Sequence, residues 1–147
     1  MILKASQRSG AAQLGQHLLK TEENEHVEVH EVRGFMSESV MGAMKEAQAM
    51  AKGTRCKQYL FSVSLNPPET ENVPVEVFEG ALSAIEEKLG LTDQPRLVVF
   101  HEKEGRRHAH AVWSRITVPH EAVIRGLFVQ FQNLAGMAFP RLPDTDL

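Results

Sequence analysis

Residues 96–116, RLVVFHEKEGRRHAHAVWSRI, restrict the fold more than any other stretch of this chain. Two β-rich segments, 96–101 and 108–116, flank a polar connection at 102–107 that contains Gly105, a composition that favours a hairpin. At least part of the sheet is then antiparallel. The same hairpin gathers histidines in the pattern His-x6-His-x-His. His108 and His110, two apart on a strand, share a face, and the turn brings His101 back opposite them. Three neutral imidazoles suit zinc, copper, iron or nickel and leave coordination positions open for a water or a substrate oxygen. The plain alternative is a solvated His-x-His face with Ala109 and Ala111 turned to the core.

The rest of the chain alternates between the two regular periodicities. Residues 2–5 read as a short strand, and 10–20 carry a helical stripe at Ala11, Leu14, Leu18 and Leu19. Residues 26–32 alternate around Val27, Val29 and Val32 as a strand. Ser37 or Ser39 caps a second helix, striped by Val40, Met41, Met44, Ala47 and Met50 and closed by Gly53, in which the methionines serve as core filler. Residues 59–65 form a strand that stops at Asn66, Pro67 and Pro68. A third helix spans 75–89, with Gly90 at its C′ position. Beyond Pro119, the segment 120–139 predicts a fourth helix, and 139–147 reads as a tail. This order mixes helix and strand without the regular alternation of a doubly wound sheet. The expected class is α+β, an antiparallel-containing central sheet with helices packed on it and the histidines at the centre of its open face.

The chain has 147 residues, of which 42% are apolar. That length and apolar fraction fit a single domain over 1–147 with an ordinary core. No apolar run is long enough to span a bilayer and the first ten residues lack the apolar core of a signal peptide, so a cytoplasmic protein with no membrane partner is expected. Cys56 is the only cysteine, in keeping with a reducing compartment, and its strand-like surroundings argue against a catalytic role. The net charge of −3 excludes a protein that coats nucleic acid indiscriminately. Basic residues nevertheless recur at Lys4, Arg8, Arg55, Lys57, Arg106, Arg107, Arg115 and Arg125, while acidic residues concentrate in 22–31.

His108-Ala109-His110, the preceding His101, the strand-then-helix unit joined by Ser-Leu-Asn-Pro-Pro-Glu and a small helix near the N-terminus together resemble the relaxases. These are the nicking enzymes of plasmid mobilisation and conjugation, within the HUH endonucleases. The resemblance covers about residues 1–116; 117–147 depart from it as a truncated or divergent end. It implies an HUH-endonuclease-like fold and metal-dependent cleavage of one DNA strand at a transfer origin, with the protein left attached to the 5′ phosphate. Single-stranded DNA at that origin is the implied partner, together with accessory mobilisation proteins. The implied cofactor is a divalent cation on His101, His108 and His110, magnesium or manganese first and zinc as the alternative. It would polarise the scissile phosphate.

The relaxases usually carry a nucleophilic tyrosine in or after the first helix. Here that place reads His17-Leu18-Leu19, which makes His17 the candidate nucleophile through a phosphoramidate; His26 and His30 are lesser candidates. Tyr59 lies in a predicted strand, away from the family's nucleophile. Ser64 and Glu69 correspond to the second motif. Ser64 is placed to bond a phosphate or the freed 3′ hydroxyl, and Glu69 or Glu71 to orient a ligating histidine. Their plain alternatives are a strand-end turn residue and a carboxylate favoured at a helix N-terminus. Arg106 and Arg107 are the candidate DNA contacts. Two other functions remain open: a non-catalytic remnant that binds single-stranded DNA or a mobilisation partner, and a small metallohydrolase acting on a phosphoester.

Overall fold

Alternation along the inner strands decides the architecture. In β3 (Leu60–Asn66), Phe61, Val63 and Leu65 point to one face and Ser62, Ser64 and Asn66 to the other. Ala109, Ala111 and Trp113 of β5 (Arg106–Ser114) and Val98 and Phe100 of β4 (Arg96–Lys103) join the first face. The computed structural model describes residues 2–20, 26–68, 72–117 and 123–136. Within them, β1 (Ile2–Arg8) and β2 (His26–Arg33) complete a five-stranded sheet in the order β1-β3-β5-β4-β2. Every neighbouring pair is antiparallel.

Helices cover both faces. On the first, α3 (Val75–Leu89) presents Phe78, Ala81, Leu82, Ile85 and Leu89, and α4 (Leu127–Gly136) adds Leu127 and Phe131. On the second, α1 (Ala11–Leu18) and α2 (Val40–Ala51) pack Leu14, Leu18, Val40, Ala43, Met44 and Ala47 over Leu60, Leu97, Val99 and Val112. Each large apolar side chain taken fully out of water contributes about 1.5–3 kcal/mol, and Trp113, Phe61, Phe78 and Phe100 are among the largest so buried. The second face is therefore not open throughout. Its apolar half is roofed by α1 and α2, and its polar half carries the histidines, of which His101 is buried and His108 and His110 are partly exposed.

The α+β class expected from the hairpin is the observed one. Ser39 is the residue that caps α2, its Oγ accepting from Gly42 N–H at 3.0 Å. Helix α2 ends at Ala51 with Lys52 as its C-cap, one residue before Gly53. Helix α3 has the expected bounds, followed by Gly90 at φ +72°. The fourth helix requires correction: it begins at Leu127, not at 120. Val123 instead forms an isolated antiparallel bridge with Ile116, and Ile124 N–H donates to Arg115 O at 2.8 Å, so residues 123–124 pair with the chain just beyond β5 before α4 begins. Residues 118–122 and the expected tail 139–147 lie outside the described residues.

A buried ionic network ties these layers together. The Glu86 carboxylate on α3 accepts from Trp113 Nε1 at 2.8 Å and from Arg33 Nη2 at 2.5 Å, and stands 3.1 Å from Arg96 Nη1. Arg96 in turn donates from Nε to Glu31 at 2.7 Å.

Candidate active site

The β4–β5 turn is only two residues long, Glu104 and Gly105, at φ 56° and 73°. Two successive positive φ values mark the turn geometry whose twist suits a hairpin, and glycine adopts it without steric cost. The strands consequently run further than the sequence pattern indicates, to Lys103 and from Arg106. The turn fixes the register so that His101 lies directly opposite His108, and Val99 opposite His110. Across β5, His110 faces Ser64 of β3, and Ser64 faces Lys4 of β1. One row of residues thus crosses the sheet as Lys4, Ser64, His110 and Val99, all on the second face.

The imidazoles of His101 and His110 have centroids 4.5 Å apart. Helix α1 brings His17 to the same place, 6.5 Å from His110 and edge-on to it. His17 is exposed, whereas its neighbour Leu18 is buried in the core, so the helix is held by one side chain while presenting the other. Lys4, Ser6, Arg8, His17, Ser64 and His110 all line a cleft of about 240 Å³.

Hydrogen bonding assigns the ring nitrogens. Asn66 Nδ2 points at Ile2 O at 3.4 Å, a group that only accepts, and at Ser64 Oγ at 3.2 Å. Its Oδ1, 2.9 Å from His108 Nδ1, must then be the acceptor, which puts the His108 proton on Nδ1 and leaves the Nε2 lone pair available. His101 Nε2 lies 2.5 Å from Leu18 O and by the same reasoning donates to it, leaving its lone pair on Nδ1. Burial, reinforced by the neighbouring His101, His17 and His108, pushes the His110 imidazole down to about 3. Burial, with Arg106, His101 and Lys103 nearby, also lowers His108.

Two histidines are therefore held neutral, as cation ligands must be. The donor set fits a divalent metal in its chemistry. As the rings stand, with His101 Nε2 turned to the Leu18 carbonyl, no three His, Cys, Asp or Glu side chains among the described residues form a metal-holding group.

The remaining candidates separate by strand face. Arg106 lies on the His108 face, and its Nη1 donates to Pro67 O at 3.4 Å. Arg107 points to the opposite face, 5.6 Å over the Phe100 ring and 3.5 Å from the Glu102 carboxylate, away from the cleft. His26 pairs across the strands with Glu102, and His30 packs on Phe100 at 4.9 Å, so neither approaches the histidine cluster. Tyr59 is only 6% exposed beneath α1 and α2, and burial raises its phenol. Glu69 and Glu71 lie outside the described residues. Asn66, Lys4 and Arg8 were not among the residues expected at the site. Their signal is the period of two: Ser62, Ser64 and Asn66, like Lys4, Ser6 and Arg8, place polar groups along one face of strands whose other residues pack inward.

A family model described as "Relaxase: MobA/VirD2-like, nuclease domain" matches residues 11–135, a span that runs past Ile116 into α4. No curated protein and no solved structure matches.

Proposed function

The chain belongs to the MobA/VirD2-like relaxase family, whose nuclease domain nicks DNA at a transfer origin, and we propose that this member does so through a histidine nucleophile with the help of a divalent cation. His101, His108 and His110 would hold the cation, magnesium or manganese, with zinc as the alternative. When bound, the cation would polarise the scissile phosphate and offset the charge on its oxygens.

The steps assigned to the protein are local. A neutral His17 nitrogen attacks phosphorus; a P–N bond forms and the bond from phosphorus to the 3′ oxygen breaks. The freed oxygen takes up a proton and leaves as a 3′ hydroxyl. The other ring nitrogen of His17 gives up its proton, and the 5′ phosphate stays on the protein. Ser64 is assigned to hydrogen-bond the phosphate or the leaving oxygen, and Lys4 and Arg8 to neutralise adjacent phosphates. The supporting observation is that His17, Ser64 and His110 line one cleft although they come from three different elements.

The test is a denaturing gel after incubating the protein, manganese or magnesium, and single-stranded oligonucleotides from the neighbouring transfer region. A covalent adduct is expected, lost in His17→Ala and in His108→Ala. A second reading, a DNA-binding remnant, draws on the burial of Tyr59, the chain's single tyrosine. That reading predicts a salt-sensitive complex and no adduct. Cleavage with turnover and no attachment would instead indicate a metallohydrolase.

A further inference from the structure

A second cavity, of about 700 Å³, opens where the end of β1, the approach to β3 and the segment after β5 meet. Arg55, Lys57, Arg115 and Arg125 line it with Gln7 and Ser9, and no carboxylate does so among the described residues. In a chain with 19 acidic against 16 basic side chains, four cations without an intervening acid form a local field opposite in sign to the net charge.

The four are not equivalent. Arg115 is a strut, 7% exposed, with Nε donating to Ile124 O at 3.1 Å and Nη1 to Gln58 O at 2.5 Å. It pins residues 55–58 against 123–125 and so fixes the shape of the cavity. Arg55, Lys57 and Arg125 are exposed and have no hydrogen-bonding or ion-pair partner among the described residues. Like charges gathered on a fixed frame are relieved by an anion.

Strand β1 joins this cavity to the histidine cleft. Lys4, Ser6 and Arg8 line the cleft, while Gln7 and Ser9 line the cavity. Lys4 and Arg8 stand about 13 Å apart, four residues at about 3.3 Å each. The cations of the cleft and those of the cavity thus lie on either side of the end of one edge strand, a distribution that suits an extended polyanion better than a small one.

We propose that the Arg55–Lys57–Arg125 cavity is a secondary binding site for the phosphodiester backbone of the DNA strand, occupied by nucleotides that extend beyond the cleft along β1. It holds the strand through phosphates and reads no bases. The identification of the polyanion as DNA rests on the relaxase reading.

Fluorescence anisotropy on the full chain tests it, using a short single-stranded oligonucleotide of about six nucleotides, enough for the cleft, and a long one of about 20. Arg55→Gln/Lys57→Gln/Arg125→Gln should weaken binding of the long strand and leave the short one unchanged. Three lost phosphate contacts should make the salt dependence for the long strand shallower by about 2. The advantage of the unmodified protein should accordingly shrink roughly 15-fold between about 50 and about 200 mM salt. Lys45→Gln/Lys52→Gln/Lys88→Gln, with the same charge change on exposed positions in or beside α2 and α3, should behave as the unmodified protein. An unchanged slope for the long strand, or equal weakening of both strands, overturns the proposal while leaving the relaxase reading in place. If the unmodified protein binds neither strand, the relaxase reading fails and takes the second site with it.

Discussion

Asn66 governs His108 through a single contact. Its amide is oriented by Ile2 O and Ser64 Oγ, so Oδ1 is committed to accepting the Nδ1 proton of His108. Outer partners of this kind, when removed, typically cost 10–100-fold in metal affinity. Asn66→Ala should therefore weaken manganese binding by about that factor in calorimetric titration, with the circular dichroism spectrum unchanged. His110 makes a different prediction. Its pKa, about 3 in the folded chain, lies below the ordinary value near 6.5. Between those values the unfolded chain takes up a proton that the folded chain refuses. In metal-free protein this contribution to stability is complete above about pH 6.5 and is lost progressively as the pH falls toward 3. His110→Gln, neutral throughout, should lose less stability than the unmodified protein between about pH 7.5 and about pH 4.5, read from urea midpoints.

At the level of elements, α1 carries His17 to the cleft only because it lies close against α2. A Cβ on Gly15 would come within 2.7 Å of Met41 Sδ and 3.3 Å of Met44 Cγ. Met41 can swing aside, but a larger group must lift the helix. Gly15→Leu should reduce adduct yield about tenfold or more, since small misplacements of a reacting group are costly. Manganese affinity should fall less than adduct yield, because the three histidines stand on β4 and β5 and only His101 loses a partner, the Leu18 carbonyl, when α1 lifts. The same helix shows where sequence reasoning reaches its limit. The hairpin and the partnership of His101 with His108 were legible, because strand alternation and a glycine-bearing turn are local signals. The separation of Arg106 from Arg107 was not, because residues 102–107 read as a connection, and only the two-residue turn at Glu104 and Gly105 puts both arginines on the strand, on opposite faces. The approach of His17 to His110 was not, since it depends on how a helix docks over a sheet far away in sequence. The start of α4 was missed for a different reason: the segment is apolar enough for a helix, and the pairing of Val123 and Ile124 with Arg115 and Ile116, which no periodicity signals, holds 123–124 out of it.

Over the whole molecule, Glu86 links α3 to β2, β4 and β5 through Arg33, Arg96 and Trp113. Removing one member of a buried charge cluster strands the others without compensation. Glu86→Ala should lower the unfolding free energy by about 3 kcal/mol in urea denaturation, toward the low end for such pairs because Arg33 is partly in solvent. Trp113 fluorescence offers a direct probe of that loss. The placement of the cleft has a separate consequence. Lys4, Ser6 and Arg8 line it from an edge strand and are exposed, so among the described residues the cleft is a trough with one long side unwalled. A tunnel has to be threaded from a free end, whereas a trough accepts a strand laid in sideways. Under the proposed nicking reaction, such a trough would let a covalently closed circle, which has no end to thread, be engaged at an internal position.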